Sequence, residues 1–325
     1  MSSNATPLKI VLGVANVGDS SDPTVRYSTP DEVNAYLNAF HDRGGRELDT
    51  ARMYSTTAPG SSEVRLGAIS AGEKFLVDTK VFSFVPGSHA KAKILESVDA
   101  SEKALKCKAN IEYLHAPDRS VPFEETLGAM DEAYRAGKFK YLGLSNYAAH
   151  EVEQIVKICE EKEFCKPSVY QGQYNPIVRS GEKELFPMLR KHGIAFYAWS
   201  PAAAGLFAGN HKNVKAGDRF DTSHVLGQTF ARVFLNDTII AAVDRVFEIF
   251  AKHSINGHGA ALRWTVHHSK LEADCGDAVV IAASSVAQLD SNLDFIAEGP
   301  LPAEVAEAIE KVYGEIADAA FPYHI

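Results

Sequence analysis

A chain of 325 residues, 46% hydrophobic and 23% charged, is too apolar for a disordered or fibrous protein and can build a sizeable core. Its 33 basic and 42 acidic residues leave a formal charge of −9, spread along the sequence, which argues against a nucleic-acid or membrane surface. Cys107, Cys159, Cys165 and Cys275 include no C-x-x-C pair and no histidine at zinc-finger spacing, so neither a metal site nor a disulfide framework is expected. There is also no apolar run of about 18 residues and no basic-then-apolar leader, so a cytoplasmic location is expected.

Short β-branched or aromatic runs alternate with amphipathic stretches. In chain order a strand at 10–14 leads to a helix at 31–43, where Thr29-Pro30-Asp31-Glu32 offers a cap, a first-turn proline and a capping-box glutamate, and Gly44 a stop. Strands at 47–49 and 75–81 precede a helix at 91–106. Strand 111–115 precedes helix 123–136, strand 141–145 helix 149–162, and strand 168–173 helix 183–191. A seventh strand at 195–200 is followed by helices at 238–253 and 260–268. The eighth, at 278–283, is followed by helices at 287–297 and 302–318. Eight β-α units without a linker predict one (β/α)8 TIM barrel over 1–325, with a long insertion after strand seven, concentrated at 202–236, and C-terminal helices. A doubly wound open sheet is the competitor. Its dinucleotide fingerprint is missing, because residues 13–18 read GVANVG and not G-x-G-x-x-G.

Active sites of such barrels form at the carboxyl ends of the strands. There the second strand ends in LDTARMY, placing Asp49 at its tip and Tyr54 beyond; the third ends in DTK, placing Lys80; the fourth ends in YLHAPD, placing His115. Singly these read as a turn cap, a loop lysine and a core histidine. Together they form a site, because an apolar strand ending on a buried lysine needs a paired carboxylate. A phenol has a pKa of about 10, and a lysine cation beside it is expected to lower that value. Asp49 would keep Lys80 charged. Tyr54 would then protonate a carbonyl oxygen that His115 orients, chemistry that needs a hydride source.

At these motifs the chain resembles the aldo-keto reductase superfamily over nearly its whole length. GLSNY, VYQGQYNP, FYAWSP, ALRWTVHHS and the tail from GDAVVIAASS are similar to its aflatoxin-aldehyde reductase branch. The resemblance implies NADPH-dependent reduction of aldehydes, possible dialdehydes or ketones included, with Asp49, Tyr54, Lys80 and His115 catalytic. It implies nicotinamide contacts from Ser145, Asn146, Gln171 and Trp199, the last in a position where tyrosine is commoner. Ser200, Pro201, Ala202, Gly205, Leu206 and Asn210 lie in the segment that resembles a pyrophosphate-crossing loop. Its small residues permit close backbone approach. The family's Leu-Gly and terminal lysine are replaced there by Ala202-Ala203 and Asn210, with Lys212 a substitute cation. Arg219 matches a cofactor-reaching arginine, and Ser284, Ser285, Gln288 and Asn292 the adenosine-end segment. That segment, 284–292, has no cation and one acid, Asp290, so the NADPH expectation comes from the resemblance, with Arg219 or Lys212 supplying the charge.

The remaining candidates are apolar. Met53, Phe82, Phe84, Tyr147, Phe207, Phe220 and Phe230, with His115, are a candidate substrate pocket for a small carbonyl compound. His267 and His268 read as structural, and His150-Glu151 does not continue as a zinc-protease motif. Two alternatives stand beside the reductase: an aryl-alcohol dehydrogenase running the oxidation, and a cofactor-sensing regulatory subunit like the potassium-channel β subunits. The short segment before the first strand disfavours the second. The resembled branch implies a homodimer.

Overall fold

The computed structural model describes residues 8–325. Eight parallel strands close into a barrel in sequence order, β8 returning to β1. They are β1 (Lys9–Gly13), β2 (Glu47–Asp49), β3 (Leu76–Lys80), β4 (Ala109–Leu114), β5 (Phe139–Ser145), β6 (Pro167–Gln173), β7 (Ala195–Trp199) and β8 (Ala278–Ile281). Around them run α1 (Pro30–Asp42), α2 (Ser61–Ala68), α3 (Lys91–Leu105), α4 (Phe123–Arg135), α5 (Ala149–Lys162) and α6 (Leu185–Lys191). After β7 follow α7 (Val225–Phe234), α8 (Asp237–Lys252) and α9 (Gly257–His267), and after β8 come α10 (Val286–Ala297) and α11 (Ala303–Ile316).

Local chemistry accounts for the ends of these elements. Thr29 and Glu32 cap α1 reciprocally, each side chain accepting from the other's backbone N–H. Asn236, Asn256 and Ser285 cap α8, α9 and α10. All eight expected strands are present, and β8 stops two residues earlier than expected, at Ile281.

Two helices depart from expectation. Helix α2 has only eight residues and lies in a Ser- and Gly-rich stretch that reads as loop. Helix α7 lies inside the segment expected as loop, although Leu226, Phe230, Val233 and Phe234 carry a readable helical spacing.

Alternate residues of the strands face the barrel interior, where Val11, Ile111, Val169, Ala195, Ala278 and Val280 pack around Tyr113 and Tyr197. Register aligns Asp49 with Asp78 and Lys80 with Tyr113, so a polar column shares this interior. Gly143 makes the space: a Cβ there would stand 2.2 Å from the Tyr113 ring. The larger apolar clusters lie between the barrel and its helices. Among the described residues no helix is long and apolar enough to cross a membrane, and no group of three His, Cys, Asp or Glu side chains is placed to hold a metal ion.

Candidate active site

The ends of β2, β3 and β4 bring together the expected acid, lysine and imidazole. Lys80 is fully buried, and its Nζ donates to Asp49 Oδ1 and Oδ2 at 2.7 Å each, to Thr50 O at 2.8 Å and to the Tyr54 hydroxyl at 3.1 Å. The His115 ring stands edge-on to Tyr54, centroids 5.8 Å apart. Asp49 Oδ1 also accepts from Gln171 Nε2 at 2.7 Å, so β6 braces the acid from across the barrel.

Tyr54 sits on a loop rather than on a strand, and the loop is pinned. Arg52 donates its backbone N–H to Lys80 O at 3.0 Å and pairs through its guanidinium with Glu63, a fully buried residue of α2. Glu63 also accepts from Thr79 at 2.6 Å, tying the Tyr54 loop to the strand that carries Lys80. Gly60, at φ 85°, leaves the space the Arg52 guanidinium fills. Asp22, from the loop after β1, accepts from Thr56 at 2.9 Å. These supports escaped the sequence reading because α2 did, and nothing in a lone Arg or Glu marks a brace.

The electrostatics correct one expectation. Burial raises the Tyr54 pKa above its ordinary 10.0 by more than Lys80 lowers it, so the group stays a phenol at neutral pH. Burial pulls Lys80 down, but Asp49 and then Tyr54 more than reverse this and hold it charged. His115 is held well below 6.5 by burial first, then by Lys80 and His89, and is therefore a neutral imidazole. Behind β4, the buried Glu112 carboxyl is pushed well above 4.5 by burial and by Glu63.

The remaining candidates separate into those at the mouth and those enclosed. Asn146 adopts φ 67°, and its Nδ2 reaches His115 O at 2.9 Å and Ser145 Oγ at 3.1 Å. Trp199 stands edge-on to Phe230, 6.5 Å between centroids. After it, Ser200, Ala203, Ala204 and Gly205 take left-handed φ values, 56°, 48°, 55° and 82°, which costs three L-residues strain and folds the segment into tight turns, Ala203 N–H donating to Ser200 O and Gly205 N–H to Ala202 O at 3.0 Å each. Pro201 is tied to Thr265 and Ala202 is buried; Asn210 ends the loop exposed. Arg219 is half-buried, lies over the Phe230 ring at 5.6 Å, and makes no hydrogen bond or ion pair among the described residues. Ser284 and Ser285 are exposed at the N-terminus of α10, where Gln288 folds back on Ser284 at 2.7 Å. Met53 and Phe82 are half-buried and Phe84 is exposed.

Several other expected contact residues are already engaged or enclosed. Lys212 is engaged by Asp244 of α8 at 2.8 Å, which leaves Arg219 as the unpaired cation of the two. The Leu206 side chain is fully enclosed in the core. Asn292 is buried against His258 at 3.0 Å. Tyr147 lies wholly inside the cluster between barrel and helices, packed on Phe123, with none of its surface exposed. Phe207, Phe220 and Phe230 are likewise buried core residues of the insertion.

A closed parallel barrel with a Tyr-Lys-Asp triad and a neutral histidine at the carboxyl ends of its strands has the constitution of a carbonyl-reducing oxidoreductase. Residues 9–314 match the profile of the Aldo/keto reductase family. The chain is 36% identical to human aflatoxin B1 aldehyde reductase member 4, covering 93% of each protein. It is 37% identical to human aldo-keto reductase family 7 member A3, again over 93% of each, and 35% identical to oxidoreductase sirO of Leptosphaeria maculans over 97% of each. The chain belongs to the aldo/keto reductase family, oxidoreductases that act on carbonyl groups with a nicotinamide dinucleotide, NAD(P)H.

Proposed function

We propose that this protein is an NADPH-dependent reductase of aldehydes, with dialdehydes and ketones as the wider substrate class, in which Tyr54 is the proton donor. The observation that carries the reading is Lys80 Nζ, buried and shared between Tyr54 and Asp49. A phenol that remains protonated at neutral pH suits reduction better than alcohol oxidation, which needs a base at that atom. The relatives named as aldehyde reductases support the aldehyde as substrate.

The residues present fit the dinucleotide. A guanidinium without an ion pair at Arg219, the tight small-residue turns at 200–205, which permit close backbone approach, and the exposed N-terminus of α10 are three places that favour phosphate in an acidic protein. Asn146, Ser145 and Gln171 would hold the carboxamide and the Trp199 face the ring, with Ser284, Ser285 and Gln288 at the adenosine end. When bound, the reduced nicotinamide supplies the hydride. His115, neutral, donates a hydrogen bond that orients the substrate carbonyl between its ring and the Tyr54 hydroxyl. Tyr54 releases its proton to the carbonyl oxygen, and Lys80, kept charged by Asp49, stabilises the phenolate left behind. Met53 and Phe82 border the substrate side.

Tyr54→Phe removes one hydroxyl and tests the reading. Its NADPH Kd is expected to match the unsubstituted protein, with turnover of aldehydes lowered by about 10³-fold; ordinary turnover would refute the role. Equal kcat/KM with NADH would refute the cofactor preference.

A further inference from the structure

His115 lacks the hydrogen bond that ordinarily fixes an active-site imidazole. Its backbone carbonyl is held by Asn146, yet ring Nδ1 is enclosed with no partner among the described residues. Orientation usually comes through that second nitrogen. Two aromatic rings are in place instead. Tyr54 lies at 5.8 Å with planes 80° apart, and Phe84 lies closer, at 5.0 Å and 73°.

Phe84 is an unusual residue to find there. It is 52% exposed, so no core demands it, and its φ of 71° is a left-handed value that a bulky L-residue adopts against steric contact. The flanking backbone enforces that conformation. Phe82 N–H donates to Ser97 at 2.9 Å, Ser83 Oγ bonds His89 Nε2 at 2.8 Å, and His89 N–H donates to Asp118 at 3.1 Å. All three polar anchors are buried, so the loop is fixed on both sides of the strained residue.

We propose that Phe84 is a positioning residue for His115, its ring taking the place of the missing Nδ1 hydrogen bond and setting the imidazole so that Nε2 faces the substrate carbonyl. Offset and edge-to-face pairs have the directional preference this requires. The proposal rests on the reading of His115 as the carbonyl-orienting group.

A double-mutant cycle tests it, using Phe84→Gly, His115→Ala and the pair, assayed with NADPH and propanal, an aldehyde without an aromatic group to stack on Phe84. Phe84→Gly is expected to lower kcat/KM about three- to tenfold. NADPH Kd should be unchanged, and Tm unchanged or about 1–2 °C higher, since glycine accepts this φ without strain. Phe84→Trp should retain the rate. In the His115→Ala background Phe84→Gly should change nothing further. In the otherwise unsubstituted protein, the His115 ring resonance should broaden on Phe84→Gly, a readout independent of turnover. An additive cycle would show Phe84 acting on substrate directly and overturn the proposal, leaving the reductase reading intact. So would an unaltered kcat/KM with a sharp ring resonance, or a rate loss accompanied by a fall of several degrees in Tm. Loss of the Tyr54→Phe effect, by contrast, would remove the reductase reading itself.

Discussion

Replacing Asp49 by Asn preserves shape while removing the charge that compensates Lys80. The lysine side chain is 0% and the aspartate 3% exposed, and both carboxylate oxygens lie 2.7 Å from Nζ. At an effective dielectric of about 20, a pair at that distance interacts by roughly 6 kcal/mol. Part of this offsets desolvation, so the net cost of stranding the ammonium is about 3–5 kcal/mol, or roughly 6 °C in Tm for a chain of this length. The pH dependence has a definite sign. In the native protein the Lys80 pKa lies above its ordinary 10.5, so the pair's contribution is whole below that value and is lost as pH rises through the raised one. In Asp49→Asn burial dominates, the pKa falls below 10.5, and the penalty shrinks as pH climbs past the lowered value. Thermal unfolding at pH 7 and pH 10 should therefore show a wider gap between the two proteins at pH 7. Adding Lys80→Met should recover most of the stability and none of the activity. A pH-independent gap, or a double variant no more stable than the single one, would refute the reasoning.

Three further outcomes are expected. Arg219→Gln should weaken NADPH binding by about 10- to 100-fold, the worth of one charge-assisted phosphate contact, and lower Tm by no more than about 1–2 °C, because the guanidinium loses no hydrogen bond or ion pair, only its place over the Phe230 ring; isothermal titration checks it. The reduction rate should show no acid limb near pH 6.5, since His115 is already neutral there, and should fall only above pH 10 as the raised Tyr54 pKa is reached; a limb between pH 6 and 7 in a pH–kcat profile would contradict both shifts. Glu112→Gln keeps the neutral shape of a carboxyl whose Oε1 has no partner. The native protein loses stability as pH rises from 4.5 through the raised Glu112 value, so the substitution should stabilise by about 1–3 kcal/mol at pH 8 and by little at pH 4, measured by urea unfolding.

The sequence by itself determined the number and order of the strands, the barrel, and which four residues, Asp49, Tyr54, Lys80 and His115, meet at its mouth. It could do so because strand patterning is local and because LDTARMY, DTK and YLHAPD each end a strand, where a barrel of parallel strands must place its chemistry. Capping at Thr29 was legible for the same reason, with donor and acceptor three residues apart. What only the tertiary structure decided depends on distance and enclosure. The sequence predicted a Tyr54 pKa lowered by Lys80, and burial, which no motif encodes, reverses the net direction. Lys212 and Arg219 are equivalent cations on paper, and the placement of Asp244 on α8 leaves only the second unpaired. Tyr147 and Phe84 were both candidate pocket aromatics. One is sealed behind the barrel wall, while the other is held out over His115 by a loop braced internally by Ser83 and His89 and anchored to Ser97 of α3 and to Asp118 after β4. Side-chain type and strand order are written locally; which groups lose water and which find a partner is settled only when remote segments close around them.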